Sequence, residues 1–110
     1  MSDGRLDLPA MLRQAQEISE KLRRVQEELR HRTVSATVGG GLVEVTVNGA
    51  LELVGVRIDP QAVDPRDVAM LQDLVRAAAN QALARAKELA QQTLQQATGL
   101  PLPFGTGGGA

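Results

Sequence analysis

The segment from Gly39 to Pro60 sets the tightest limit on what this chain can fold into. Its run Gly39-Gly40-Gly41 permits positive backbone angles, and Asn48-Gly49 is the dipeptide that a type I′ hairpin prefers. Between these turn signals Val43, Val45 and Val47 share one strand face, while Glu44 and Thr46 take the other. Upstream, residues 33–38 alternate strictly. Downstream, Val54, Val56 and Ile58 share a face, whereas Leu51 and Leu53 have the opposite parity. A bulge near Leu53-Val54 reconciles the two sets. The pattern predicts a three-stranded antiparallel meander that Pro60 ends. Such a sheet is small, and the helical patterns on either side are too long for it to cover.

Asp7-Leu8-Pro9 predicts the first helix start, with Asp7 as N-cap and Pro9 in the first turn. Leu8, Met11, Ala15, Ile18, Leu22, Val25 and Leu29 then step by three and four in an unbroken heptad register. A seam this narrow is made to meet another helix rather than a sheet. Glu17–Lys21 and Glu20–Arg24 add pairs worth a few tenths of a kcal/mol, roughly. The second helix is expected from Asp64 as N-cap and Pro65 at its first position, and it runs to about Ala97. Its inner stripe is Val68, Leu71, Leu74, Val75, Ala78, Ala82, Ala86, Leu89 and Ala90. Such a helix spans roughly 50 Å, against a radius of gyration near ~13 Å for a compact domain of 100 residues.

The expected fold is therefore α+β in the order α-β-β-β-α. Its projecting helices and half-covered sheet call for a second copy, and a closed two-fold homodimer is the commonest answer. Residues 1–7 read as a flexible N-terminus and 8–97 as one dimerising domain. Residues 98–110, rich in Pro and Gly, read as a disordered tail.

Composition removes several function classes. Phe104 is the one aromatic residue, so stacking of bases or sugars is set aside. No cysteine is present, which excludes thiol chemistry and fits a reducing interior. No run is long and apolar enough to be a signal core or a membrane span, so a cytoplasmic protein is the default expectation. The net charge of −1 argues against coating polyanions by bulk electrostatics, although seven of the twelve Lys and Arg residues lie in residues 1–32.

Met11-Leu12-Arg13-Gln14-Ala15-Gln16, the hairpin from Gly41 to Gly49, Val56-Arg57-Ile58-Asp59-Pro60 and the stretch from Met70 to Ala78 together resemble the YbaB/EbfC family. The likeness spans about residues 8–97 in the same order. It implies a small bacterial nucleoid-associated protein, a tweezer-like homodimer whose helices project from a joined central sheet and contact duplex DNA. It also implies roles in DNA conformation, nucleoid organisation and gene expression. The first helix departs from the family pattern: it is rich in Arg and Glu where relatives favour Lys, Gln and Met.

The DNA-binding candidates are Arg13, Lys21, Arg23, Arg24, Arg30 and Arg32, with Arg85, Lys87 and Arg76 of the second helix weaker. Guanidinium donors form a planar fork that suits phosphate oxygens. The plainer alternative is a solvated helix face balanced by Glu17, Glu20, Glu27 and Glu28. Met11, Ala15, Ile18, Leu22, Val25 and Leu29, with Val43, Val45 and Val47, form the candidate seam for a dimer or for the chain's own core. His31 has no second ligand at helical spacing and reads as a surface residue. Asp59, Asp64 and Asp67 are explained by turns and caps, and Gly39-Gly40-Gly41 lacks the lysine of a phosphate loop. No catalytic residue, metal or cofactor is expected. The leading expectation is sequence-tolerant binding of duplex DNA by a dimer through phosphate contacts. The alternatives are an adapter that docks a protein of recombination or replication, and a purely structural coiled-coil dimer.

Overall fold

The computed structural model describes residues 7–99. Helix α1 spans Leu8–Arg30, strands β1, β2 and β3 span Thr33–Val38, Val43–Asn48 and Leu53–Ile58, and helix α2 spans Val68–Thr98. The sheet is an antiparallel meander in the order β1-β2-β3, so the expected α-β-β-β-α architecture is observed. Of the expected flexible ends, only Asp7, Thr98 and Gly99 are described: Asp7 caps α1, Thr98 is the last residue of α2 and Gly99 is its C-cap. Residues 1–6 and 100–110 lie outside the described part.

Val43, Val45 and Val47 are fully buried against Ala78, Ala82 and Ala86 of α2. Burial of each valine contributes roughly 1.5–3 kcal/mol relative to exposure. The alanines recur every four residues, so they line one helix face and let the α2 backbone lie close on β1 and β2. The connection from β1 to β2 runs through Gly39, Gly40 and Gly41 at φ 65°, 70° and 102°, a run of left-handed conformations that side chains resist.

Strand β3 is left outside this cover, and every residue along it is exposed. The bulge falls where the parity of the sequence required it: Thr46 faces Gly55 and Val47 faces Leu53, leaving Val54 as the extra residue. The apolar set on the α2 side is therefore Leu53, Val56 and Ile58, not Val54, Val56 and Ile58. The opposite sheet face is polar, with Ser35 and Thr46 hydroxyls 2.8 Å apart and Arg57 2.8 Å from Glu44.

Three local expectations need correction. Helix α2 begins at Val68, with Asp67 as its cap: the Asp67 carboxylate accepts from the Met70 N–H at 3.1 Å. The Asp64 carboxylate closes a tight turn on the Arg66 N–H at 2.9 Å, so Asp64 shapes the approach instead of capping. The hairpin after β2 is not a two-residue type I′ turn. Leu51, at φ 66°, takes the left-handed position, and its N–H donates to the Asn48 carbonyl at 3.0 Å. Glu17 and Lys21 form no ion pair, whereas Glu20 stands 3.6 Å from Arg24.

Candidate nucleic-acid interface

The candidate basic face is built on α1, and the β2–β3 turn determines where that helix points. Asn48 is buried and uses its whole amide. Its Oδ1 accepts from the Ala50 and Glu52 N–H groups, both at 3.0 Å. Its Nδ2 donates to Glu52 Oε1 at 2.7 Å and to the Arg30 carbonyl at 3.3 Å, which ties off the C-terminal end of α1. Gly49 sits directly against that end. A Cβ at this position would stand 2.6 Å from Leu29 Cδ2 and 2.9 Å from the Leu29 carbonyl oxygen. Arg32 adds a third tie, reaching Thr93 Oγ1 of α2 at 3.3 Å.

Beyond this anchorage α1 stands away from the body. Along the seam, exposure climbs from 6% at Val25 to 37% at Leu22 and 58% at Ile18. Val25, Leu29, Val43, Val45 and Val47 thus belong to the chain's own buried core. Met11, Ala15, Ile18 and Leu22 form an open stripe with no cover in a single copy.

The arm carries Arg13, Lys21, Arg23 and Arg24, and Arg30 follows on the anchored end; all five are exposed. They fall into two groups. Arg13, Lys21 and Arg24 share a shallow groove with Gln16, Glu17 and Glu20. Arg23 and Arg30 border a cleft of about 490 Å³ completed by Gln26, Glu27, Leu29, Gly49 and Ala50. Glu20 binds Arg23, and Glu27 binds both Arg30 and His31. The hydrogen bond from Arg23 holds the Glu20 carboxyl below its ordinary range, and the one from Arg30 does the same for Glu27. Among the described residues Arg13 and Lys21 make no ion pair.

The other candidates stand apart. Arg32 is engaged by Glu28 at 3.4 Å as well as by Thr93. Arg85 donates to the Ser35 carbonyl of β1. Arg76 pairs with Asp73 at 2.8 Å. Lys87 lies on α2 beside Leu51, Ala90, Gln91 and Leu94. Sequence reasoning missed Asn48 as the anchor of α1 and Thr93 as the partner of Arg32. The first had a signal, a polar residue placed before a glycine at the end of an apolar strand; the second had none. Among the described residues no cluster of three or more His, Cys, Asp or Glu could hold a metal ion, and no helix is long and apolar enough to cross a membrane.

A three-stranded meander packed on one long helix, with a second helix projecting from it and bearing a mixed-charge, Arg-rich face, defines a small class of α+β proteins. Residues 4–100 match the model of the YbaB/EbfC DNA-binding family, and the chain belongs to that family. It is 48% identical over 96 residues to a nucleoid-associated protein of Moorella thermoacetica, covering 87% of this chain and 92% of that one. It is 45% identical over 106 residues to a nucleoid-associated protein of Rhodococcus jostii, covering 96% and 89%. The fold is also that of an uncharacterised Helicobacter pylori protein of known structure, HP0035. That likeness has a TM-score of 0.73 at 20% identity and covers 84% of this chain and 97% of the other.

Proposed function

We propose that this chain acts as a homodimer that binds duplex DNA in the nucleoid, chiefly through phosphate contacts made by Arg13, Lys21, Arg23, Arg24 and Arg30. The observation that carries this reading is helix α1 itself, which holds these five basic groups in solvent along about 26 Å of its length. Family membership and the names of the relatives point the same way. Arg32 and Arg85 serve the fold in this reading, and Lys87 is a secondary contact. The second copy covers the apolar side of β3 and the open part of the α1 seam. The two edges of the sheet favour this arrangement, because β1 packs against α2, with Arg85 bonded to its Ser35 carbonyl, while β3 is exposed along its whole length and carries Leu53, Val56 and Ile58. Two arms in one dimer grip DNA at two places, and bending or bridging of the duplex underlies the roles in nucleoid organisation and gene regulation.

The test is a titration of duplex DNA at two salt concentrations. Phosphate-driven binding weakens steeply with salt, with a slope of about −0.9 per phosphate neutralised. Wild type is compared with Arg23→Ala/Arg24→Ala/Arg30→Ala, which is expected to bind at least about tenfold more weakly and with a shallower slope. Equal binding by the two removes this patch from the proposal. The adapter reading has one observation in its favour, the uncovered Leu53, Val56 and Ile58, which a foreign protein could also cover. A stoichiometric protein partner retained from nuclease-treated lysate, with no DNA binding by the purified chain, would favour it.

A further inference from the structure

The charge pattern of α1 repeats after seven residues. Glu20, Arg23 and Arg24 recur as Glu27, Arg30 and His31. Both sets close in the same way, with the carboxylate holding the bases that follow it. Glu20 takes Arg23 in a two-pronged contact, Nε donating to Oε1 at 3.3 Å and Nη2 donating to Oε2, and it also faces Arg24 at 3.6 Å. Glu27 offers one oxygen to Arg30 and the other, at 3.1 Å, to His31. Seven residues advance about 10.5 Å along the axis. Glu27 therefore stands in the stretch between Arg23 and Arg30, on the cleft those arginines border. A phosphate that approaches either guanidinium finds donors already committed to a carboxylate.

Exposed pairs of this kind add little to folding, but they change what binding must achieve. A guanidinium that leaves a carboxylate for a phosphate exchanges one charge-assisted contact for another of similar strength. The surplus has to come from elsewhere. Duplex DNA supplies it by releasing condensed counterions, and an isolated phosphate ion, which carries no such atmosphere, cannot. We propose that Glu20 and Glu27 are built-in competitors for the arginines of this face: they set its affinity for DNA and reserve it for rows of closely spaced phosphates. The inference rests on the reading of this face as the one that contacts DNA.

Glu27→Gln tests it, since the amide keeps the shape and removes the charge. Glu88→Gln is the control: it makes the same change in net charge on α2, where the carboxylate has no ion pair among the described residues. Binding to a random duplex is measured by fluorescence anisotropy between about 50 and 200 mM salt, and Glu27→Gln is expected to tighten it about threefold or more. Glu20→Gln/Glu27→Gln is expected to reach about tenfold, while Glu88→Gln stays within about twofold of wild type. In parallel, inorganic phosphate is titrated while the arginine side-chain resonances are followed. The double variant is expected to respond at lower phosphate concentration than wild type. Equal gains from Glu27→Gln and Glu88→Gln, or no gain from Glu27→Gln, overturn the proposal. The reading of the site fails separately, through a triple arginine variant that binds like wild type.

Discussion

The two ends of α1 carry one heptad pattern and meet different fates. From Val25 to Arg30 the helix is fastened: Leu29 lies on Gly49, whose N–H donates to the Leu29 carbonyl, Asn48 holds the Arg30 carbonyl, and Arg32 follows with its bond to Thr93. From Leu8 to Leu22 the same register of apolar residues faces solvent. Periodicity states which side of a helix is apolar. It does not state what covers that side, because the cover comes from elements distant in the chain or from another molecule. The fastened end belongs to the stability of one copy, and the open end is available for association.

The largest expected effect comes from breaking the fastening. Asn48→Asp removes the two Nδ2 donors and sets a carboxylate against Glu52 Oε1 and the Arg30 carbonyl in a buried place. Destabilisation of about 3 kcal/mol or more is expected, read from urea denaturation followed by circular dichroism. A loss under half of that would mean that the anchorage rests on packing rather than on the amide. Leu29→Ala comes next, at about 2–4 kcal/mol for a large-to-small change in a buried site. Gly49→Ala follows, at about 1–3 kcal/mol, because the new methyl overlaps Leu29 and its carbonyl.

The comparison sharpens at the open end. Ile18→Asp lies beyond the fastening and leaves the single-copy core intact. If a second copy covers the seam, this substitution weakens self-association by at least about tenfold, since it buries a charge at an apolar interface. Sedimentation over a range of concentrations measures it, with Val56→Lys as the matching probe of the β3 edge. A wild-type chain that stays monomeric and fully folded at micromolar concentration would remove the dimer from the proposed function.

Much of this could be read in the residues. Alternation at Val43, Val45 and Val47, the glycine run, the cap at Asp7 and the small-residue stripe of α2 are local signals, and local geometry enforces them. The bulge was legible as well, because Leu53 and Val56 differ in parity and only an extra residue joins them on one face. The errors came where local chemistry allowed two answers. Asp64 and Asp67 can each cap a helix, and the Asx turn at Asp64 moved the start by one turn. Asn48-Gly49 fits a type I′ turn, yet the glycine is needed for the close approach of Leu29, and Leu51 takes the left-handed angle in its place. Within the candidate site, the basic residues were legible one by one. Their division into an Arg23–Arg30 cleft and an Arg13–Lys21 groove was not, and neither was the bond from Arg85 to the Ser35 carbonyl, since both depend on packing across the chain.

The smallest expected effect separates the two ends by titration. Arg23 lowers the Glu20 carboxyl from its ordinary 4.5, and Arg30 lowers that of Glu27. A carboxylate depressed in the folded state binds its proton more readily when unfolded. Its contribution to stability is therefore fully present above the unfolded value, and it is lost as pH falls below 4.5 through the folded value. Neither group is buried, so the loss is slight in energy, but it is visible in carboxyl carbon shifts followed by NMR as acid is added. Glu20 and Glu27 should each titrate at lower pH than in variants lacking the partner, Arg23→Ala for the first and Arg30→Ala for the second. About 0.1 M added salt screens exposed charges over a Debye length of about 10 Å and should shrink both differences. A Glu27 that titrates alike in wild type and in Arg30→Ala would mean that the pair is absent in solution, and the proposed competition with phosphate would then lose its mechanism at that position.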